Sequence, residues 1–203
     1  MPVIGITGGI ATGKSALLGE LRALLPGAAT FDADIAAREV VNDPEARALI
    51  ADAFGADIYS ADGSLNRARL RTIVFADPEK KQALEQILHP RIRRQWTVQA
   101  ESRRESTEFF LADIPLLYET GGETRCDRVV VVACSANVQL QRLMKRSALS
   151  QAAAEQMIAA QMPLTDKIAR AHHVVWNNGP QAVLSAQAAT LASAWQRTNG
   201  PVS

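Results

Sequence analysis

Nothing limits the fold of this chain more than the stretch from Val3 to Leu25, VIGITGGIATGKSALLGELRALL. Val3-Ile4-Gly5-Ile6-Thr7 is a short apolar run that reads as a buried strand. Gly8 to Ser15 then fits the phosphate-loop pattern G-x-x-x-x-G-K-[ST] at every fixed position. Leu17, Leu18, Leu21, Leu24 and Leu25 follow on one face of a helix. Glycines let a backbone wrap closely around phosphate, and the helix points unpaired N–H groups and its positive dipole end into the same hollow. A glycine-rich turn that binds nothing could carry similar letters, but a strand before and a helix after are the context that marks the motif. The stretch implies a nucleoside triphosphate cradle built from Gly9, Ile10, Ala11, Thr12, Gly13, Lys14, Ser15 and Ala16. Lys14 is expected to reach the β- and γ-phosphates, and the Ser15 hydroxyl to ligate Mg²⁺.

Composition narrows the surroundings of that cradle. A length of 203 residues allows one α/β domain with small insertions and a substantial core. The formal net charge of +1 argues against a broad nucleic-acid or membrane footprint. No apolar run reaches the length of a membrane span, and the apolar start reads as a strand, not a signal peptide. Cys126 and Cys134 lack metal-type spacing and read as reduced thiols of a cytoplasmic protein, Cys134 in a strand.

After the first helix, Ala28 to Asp32 reads as a second strand, ending in Asp32-Ala33-Asp34. From residue 35 to about 104 the pattern is helical. Asp43-Pro44, Asp77-Pro78 and His89-Pro90 each place proline where a first helical residue belongs. Asn66 reads as an N-cap, and Gly55 and Asp62-Gly63 as breaks. So long a helical block exceeds a crossover and reads as an inserted substrate-side subdomain. Phe109 to Asp113 is the third strand, closing on a carboxylate that holds either Mg²⁺ or a turn. Arg128 to Cys134 is the fourth, β-branched and buried on both faces, with Ser135 capping the next helix. That helix carries Arg142, Lys145 and Arg146 on one side. Taken alone the cluster reads as a solvated face, but in a phosphoryl-transfer enzyme it suits a lid. A helix over residues 151–161 follows, and Pro163 ends it. His172 to Asn177 is the fifth strand. Its adjacent histidines point to opposite faces and read as structural. The last helix starts at Pro180 and buries Leu184, Leu191 and Trp195, with a tail frayed from Thr198.

Strands alternating with helices predict an α/β fold of three layers around a five-stranded parallel sheet. The ligand of such a sheet lies beyond the carboxyl ends of the strands, where the phosphate loop, Asp34, Asp113 and the Asn177-Asn178-Gly179 turn all fall. Phosphoryl transfer needs a phosphate clamp, a metal and a group that prepares the acceptor oxygen. Asp34 is the candidate base for that oxygen, while Asp32 is free to cap the next helix. The N-K-x-D and D-x-x-G segments of a switch GTPase are absent. The helical insertion favours a small-molecule acceptor enclosed away from water.

The chain resembles the dephospho-coenzyme A kinase family. The resemblance rests on Thr7-Gly8-Gly9-Ile10 through Ser15, on Asp32-Ala33-Asp34 with Ala37-Arg38, and on Phe54-Gly55. It extends through His89-Pro90, Pro115-Leu116-Leu117 with Glu119, Gln139 with Arg142 and Arg146, Gln161, and Asn177-Asn178-Gly179. It implies transfer of the γ-phosphate of ATP, with Mg²⁺, to the ribose 3′-hydroxyl of dephospho-coenzyme A. It casts Asp34 as the base, Lys14, Arg142 and Arg146 as charge-neutralising groups, and Arg38, His89 and Glu119 as acceptor-side residues. The turn containing Asn177 and Gly179 would border the adenine. One kinase domain is implied, with core segments at about 1–34, 106–136 and 170–198, the acceptor-binding insertion at about 35–104 and a lid at about 137–165. The implied state is a monomer or small homo-oligomer. Ala11, Asn66, Ser147, His172-His173 and Trp176 depart from the family's usual residues. Another small-molecule kinase of the same fold, or a nucleotide-binding regulator without catalysis, are the alternatives; the second would lack a base or a clamp.

Overall fold

The computed structural model describes residues 1–105 and 108–199. It divides into two compact units, Met1–Phe31 with Ser102–Ser203, and Asp32–Glu101.

The first unit is built on a five-stranded sheet in the order β2-β3-β1-β4-β5. Its strands are β1 (Val3–Gly8), β2 (Ala29–Asp32), β3 (Phe110–Asp113), β4 (Arg128–Ala133) and β5 (His173–Trp176). β1 pairs in parallel with β3 and β4, and β4 with β5, setting Ile6 beside Asp113 and Ala133 beside Trp176. The expected parallel α/β sheet is therefore present, and its central strand is the one that leads into the phosphate loop.

Strand alternation decides what each face receives. Ile4, Ile6, Val130 and Val132 face α1 (Lys14–Leu24) and the terminal helix, which supply Leu17, Leu21, Leu184 and Trp195 to one core. Leu25 and Leu18 join that core, whereas Leu24, expected on the same face, is exposed. On the other face Gly5 lies against Leu117 and Cys126. Burial pushes the Cys126 thiol up to about 12, so it is an inert filler and not a nucleophile.

At the sheet's outer border Gln187 meets β5. Its Oε1 accepts from the Trp176 N–H at 3.0 Å and its Nε2 donates to the Trp176 carbonyl at 2.9 Å. The terminal helix runs over Gln181–Asn199 and includes Thr198; the tail from Gly200 onward lies outside the described residues.

The second unit is helical. Asp32 caps α2 (Ala33–Val40) by accepting from the Asp34 and Ile35 N–H groups. Asp43 caps α3 (Pro44–Phe54), whose Pro44 sits in the first turn, and Asn66 caps α4 (Arg67–Ala76). The Pro78 start holds for α5 (Pro78–Ser102), but the start expected at His89-Pro90 does not exist: Pro90 lies inside this helix. Its ring removes an N–H and crowds the carbonyl four residues back. The Arg91 guanidinium donates to the Ile87 carbonyl at 2.9 Å within that disturbed turn. Burial of Ile87, Leu88 and Leu84 against Ile50, Phe54, Ile58 and Leu70 explains why the helix runs on despite the proline.

Candidate active site

The loop after β1 is a tight turn. The Thr12 N–H and hydroxyl both donate to the Gly9 carbonyl, at 3.3 and 2.9 Å. Gly13, at φ 101°, opens α1 from the left-handed region, and no side chain caps that helix start. Asn177, at the carboxyl end of β5, donates to the Thr12 carbonyl at 2.9 Å. A Cβ on Gly13 would come within 2.1 Å of the Asn177 amide nitrogen, so the residue must be glycine on two counts. Asn177 thus braces the phosphate loop directly. Asn178 ties the same turn to β4 by accepting from the Ser135 N–H at 2.7 Å.

Lys14 and Asp113 are brought together, with Nζ 3.6 Å from Oδ1. Asp113 is 6% exposed at the end of β3. A buried carboxylate beside the lysine of the phosphate-loop motif could serve a cation. Among the described residues no cluster of three or more His, Cys, Asp or Glu could hold a metal alone. Mg²⁺ suits that arrangement, because it binds through one or two protein oxygens and completes its shell with phosphate and water. Ser15 and Asp113 are the oxygens that fit.

Sequence reasoning missed Lys167. It lies on α8 (Leu164–Ala169), is wholly buried, and donates to the Pro115 carbonyl at 3.0 Å while pairing with Glu119 at 2.8 Å. Burial lowers its pKa, opposed by Glu119 and reinforced by the nearby Lys14 charge. The Thr7 hydroxyl shares the Pro115 carbonyl at 3.0 Å. Glu119 also accepts from the Met162 N–H at 3.1 Å, so its carboxylate is taken up inside the protein by Lys167 and the segment after α7 (Gln151–Ala159). No feature of the sequence LTDKIA marks its lysine as buried.

Ser135 caps α6 (Ala136–Ser147), as expected, by accepting from the Val138 N–H. Arg142 turns back toward the end of β4. Its guanidinium lies beside the Cys134 thiol, whose pKa burial raises and Arg142 opposes. One guanidinium nitrogen, Nη1, is buried without a hydrogen-bond partner, a costly state for a charged donor and one that an anion would relieve. Lys145 and Arg146 are exposed on the same helix. Two further side chains reach the phosphate loop: Gln139 donates to the Ile10 carbonyl at 2.9 Å, and Gln161 accepts from the Ile10 N–H at 2.8 Å.

In the second unit, Asp34 and Arg38 are one helical turn apart on α2, both exposed. The Arg38 carbonyl accepts from Asn42 and Arg67. His89 is half-buried on α5 next to Pro90.

A strand–loop–helix phosphate cradle is shared by many proteins, so similarity over the whole chain is the finer discriminator. The family model described as Dephospho-CoA kinase matches residues 2–182. A dephospho-CoA kinase of Anaeromyxobacter dehalogenans is 45% identical over 94% of this chain and 90% of its own length. One of Bacillus cereus is 40% identical over 95% and 96%. Among solved structures, TT1252 from Thermus thermophilus superposes with a TM-score of 0.76 at 34% identity, covering 95% of this chain and 97% of that one. The dephospho-CoA kinase of Campylobacter jejuni gives 0.73 at 25% identity, covering 97% and 98%. With a match that runs unbroken from the phosphate loop past the Asn177 brace, this chain belongs to the dephospho-CoA kinase family.

Proposed function

We propose that the chain transfers the γ-phosphoryl group of ATP to the ribose 3′-hydroxyl of dephospho-coenzyme A, the last step of coenzyme A synthesis. The observation that carries this reading is the family match over residues 2–182 on a chain whose cradle, Lys14 and Asp113 are assembled. Amides of Gly9 to Ala16 and the Lys14 ammonium bind the phosphates. Ser15 and Asp113 would hold Mg²⁺, which when bound would supply positive charge to offset the charge that develops on the transferring group. Asp34 orients the acceptor hydroxyl and takes its proton as the new P–O bond forms and the bond to the ADP oxygen breaks. Arg142, with its unsatisfied donor, and Arg146 on the lid add positive charge over the triphosphate.

Arg38 and His89 bind the acceptor. Glu119 steadies the acceptor side through Lys167, and Asn177 and Gly179 border the adenine. In this reading segments 1–34, 106–136 and 170–198 form the catalytic core, 35–104 the acceptor-binding insertion and 137–165 the lid. The enzyme works in the cytoplasm as a monomer or small homo-oligomer, on a small molecule and without nucleic acid or membrane. The near-neutral charge speaks against a broad nucleic-acid footprint, and among the described residues no helix is long and apolar enough to cross a membrane.

The test is ADP release measured across a panel of acceptor alcohols. ATP turnover is expected with dephospho-coenzyme A well above the rate with water. Turnover with a nucleoside or nucleotide but not with dephospho-coenzyme A would overturn the substrate assignment.

A further inference from the structure

Ala11 has a left-handed backbone, φ 60°, inside the phosphate loop. A residue with a Cβ resists that region, and such strain persists only where its surroundings over-determine it. Ala11 is the third residue of the turn from Gly9 to Thr12, closed by the Thr12 N–H bond to the Gly9 carbonyl. A turn with this positive φ differs from the commoner all-right-handed turn by a flip of its central peptide plane, here the Ile10–Ala11 peptide.

One side chain fixes that plane. The Gln139 amide, from the first turn of α6, donates to the Ile10 carbonyl at 2.9 Å, and Gln139 is 5% exposed. Its path is built in, because a Cβ on Gly9 would come within 2.5 Å of the Gln139 Nε2. The preceding Ile10 N–H is pinned separately by Gln161. In a trans peptide the N–H points opposite to the carbonyl, so holding the Ile10 carbonyl toward Gln139 turns the Ala11 N–H away from it. Among the described residues no protein group accepts from the Ala11 N–H.

We propose that Gln139 is a positioning residue that locks the Ile10–Ala11 peptide plane and so keeps the Ala11 N–H available to the phosphates of ATP. The proposal rests on the phosphate loop binding ATP, as in the function above. Gln139 touches no substrate; it acts through the peptide it holds. Without it, the plane flips to relieve Ala11, and the N–H is withdrawn.

The test is a double-mutant cycle with Ala11→Gly, since glycine adopts the left-handed region without penalty. ATP affinity is measured by calorimetry for the unaltered enzyme, Gln139→Met, Ala11→Gly and the double variant, with thermal midpoints as a folding control. Met keeps the side-chain length and lacks the donor, and Gln139→Ala is the second variant should Met misfold. Loss of Gln139 should weaken ATP binding about tenfold beside Ala11, the scale of one left-handed residue carrying a Cβ. In the Ala11→Gly background the same loss should cost less than about threefold. Equal losses in both backgrounds would overturn the proposal, because a merely structural contact would ignore residue 11. Unchanged affinity in folded Gln139→Met and Gln139→Ala would also overturn it. Absence of ATP binding by the unaltered enzyme would instead refute the functional reading, and the proposal with it.

Discussion

A carboxylate that prepares an alcohol works by position before acidity, and Asp34, which we propose for that role, stands two residues after the cap of its helix. Asp32 takes the first N–H groups of α2, including that of Asp34, so the Asp34 side chain is released from capping duty. Asp34→Asn should leave the Kd for ATP unchanged and lower kcat at least about a hundredfold, the usual scale for loss of a general base. Steady-state kinetics with calorimetry will check this, and an unchanged kcat would remove Asp34 from the mechanism. At this scale the sequence was informative where a local pattern fixes position: Lys14 and Ser15 open α1, and Asp113 closes β3. It was silent where a partner is remote. Gln139 meets a carbonyl 129 positions away, and Lys167 meets one 52 positions away, so neither contact leaves a local pattern.

Elements show a different limit. Proline after a polar residue reads as a helix start because its missing N–H costs nothing there, which holds at Pro44 and Pro78. At Pro90 the local signal is overruled by the apolar residues on either side, which bury α5 as one piece. Pro90→Ala restores an N–H to the helix interior and should stabilise it by about 2 kcal/mol after the entropy gained by the unfolded chain is subtracted. The thermal midpoint should then rise by about 5 °C. With His89 proposed to bind the acceptor, the change beside it should raise KM for dephospho-coenzyme A while KM for ATP stays. A lower midpoint in scanning calorimetry would show that the surrounding packing favours the proline.

At the scale of the whole molecule, the half-buried His173 ties stability to pH. Burial pushes the His173 pKa below the ordinary 6.5, and Arg128 and His172 push the same way. The unfolded chain therefore takes up a proton before the folded one does. The contribution to stability is intact above about pH 6.5, falls as pH drops below it, and levels off under the folded-state value. Thermal midpoints between about pH 7 and pH 5 should fall more steeply for the unaltered enzyme than for His173→Gln. Parallel slopes would assign the acid sensitivity to other groups. The five-stranded sheet was legible because β-branched runs and turn residues alternate with helical periods. The adjacent histidines were legible only as structural: His172 accepts from the Val129 N–H, and His173 sits against Trp195.

An open sheet invites company along its unpaired rim, and the Gln187 carboxamide answers that at Trp176 by presenting a donor and an acceptor together, as a neighbouring strand would. At that rung the main chain has nothing left to offer a stray extended segment. A newly made copy drifting past in a crowded cell must first evict an amide already tethered to its own helix, so fibre-like stacking on this side begins at a disadvantage.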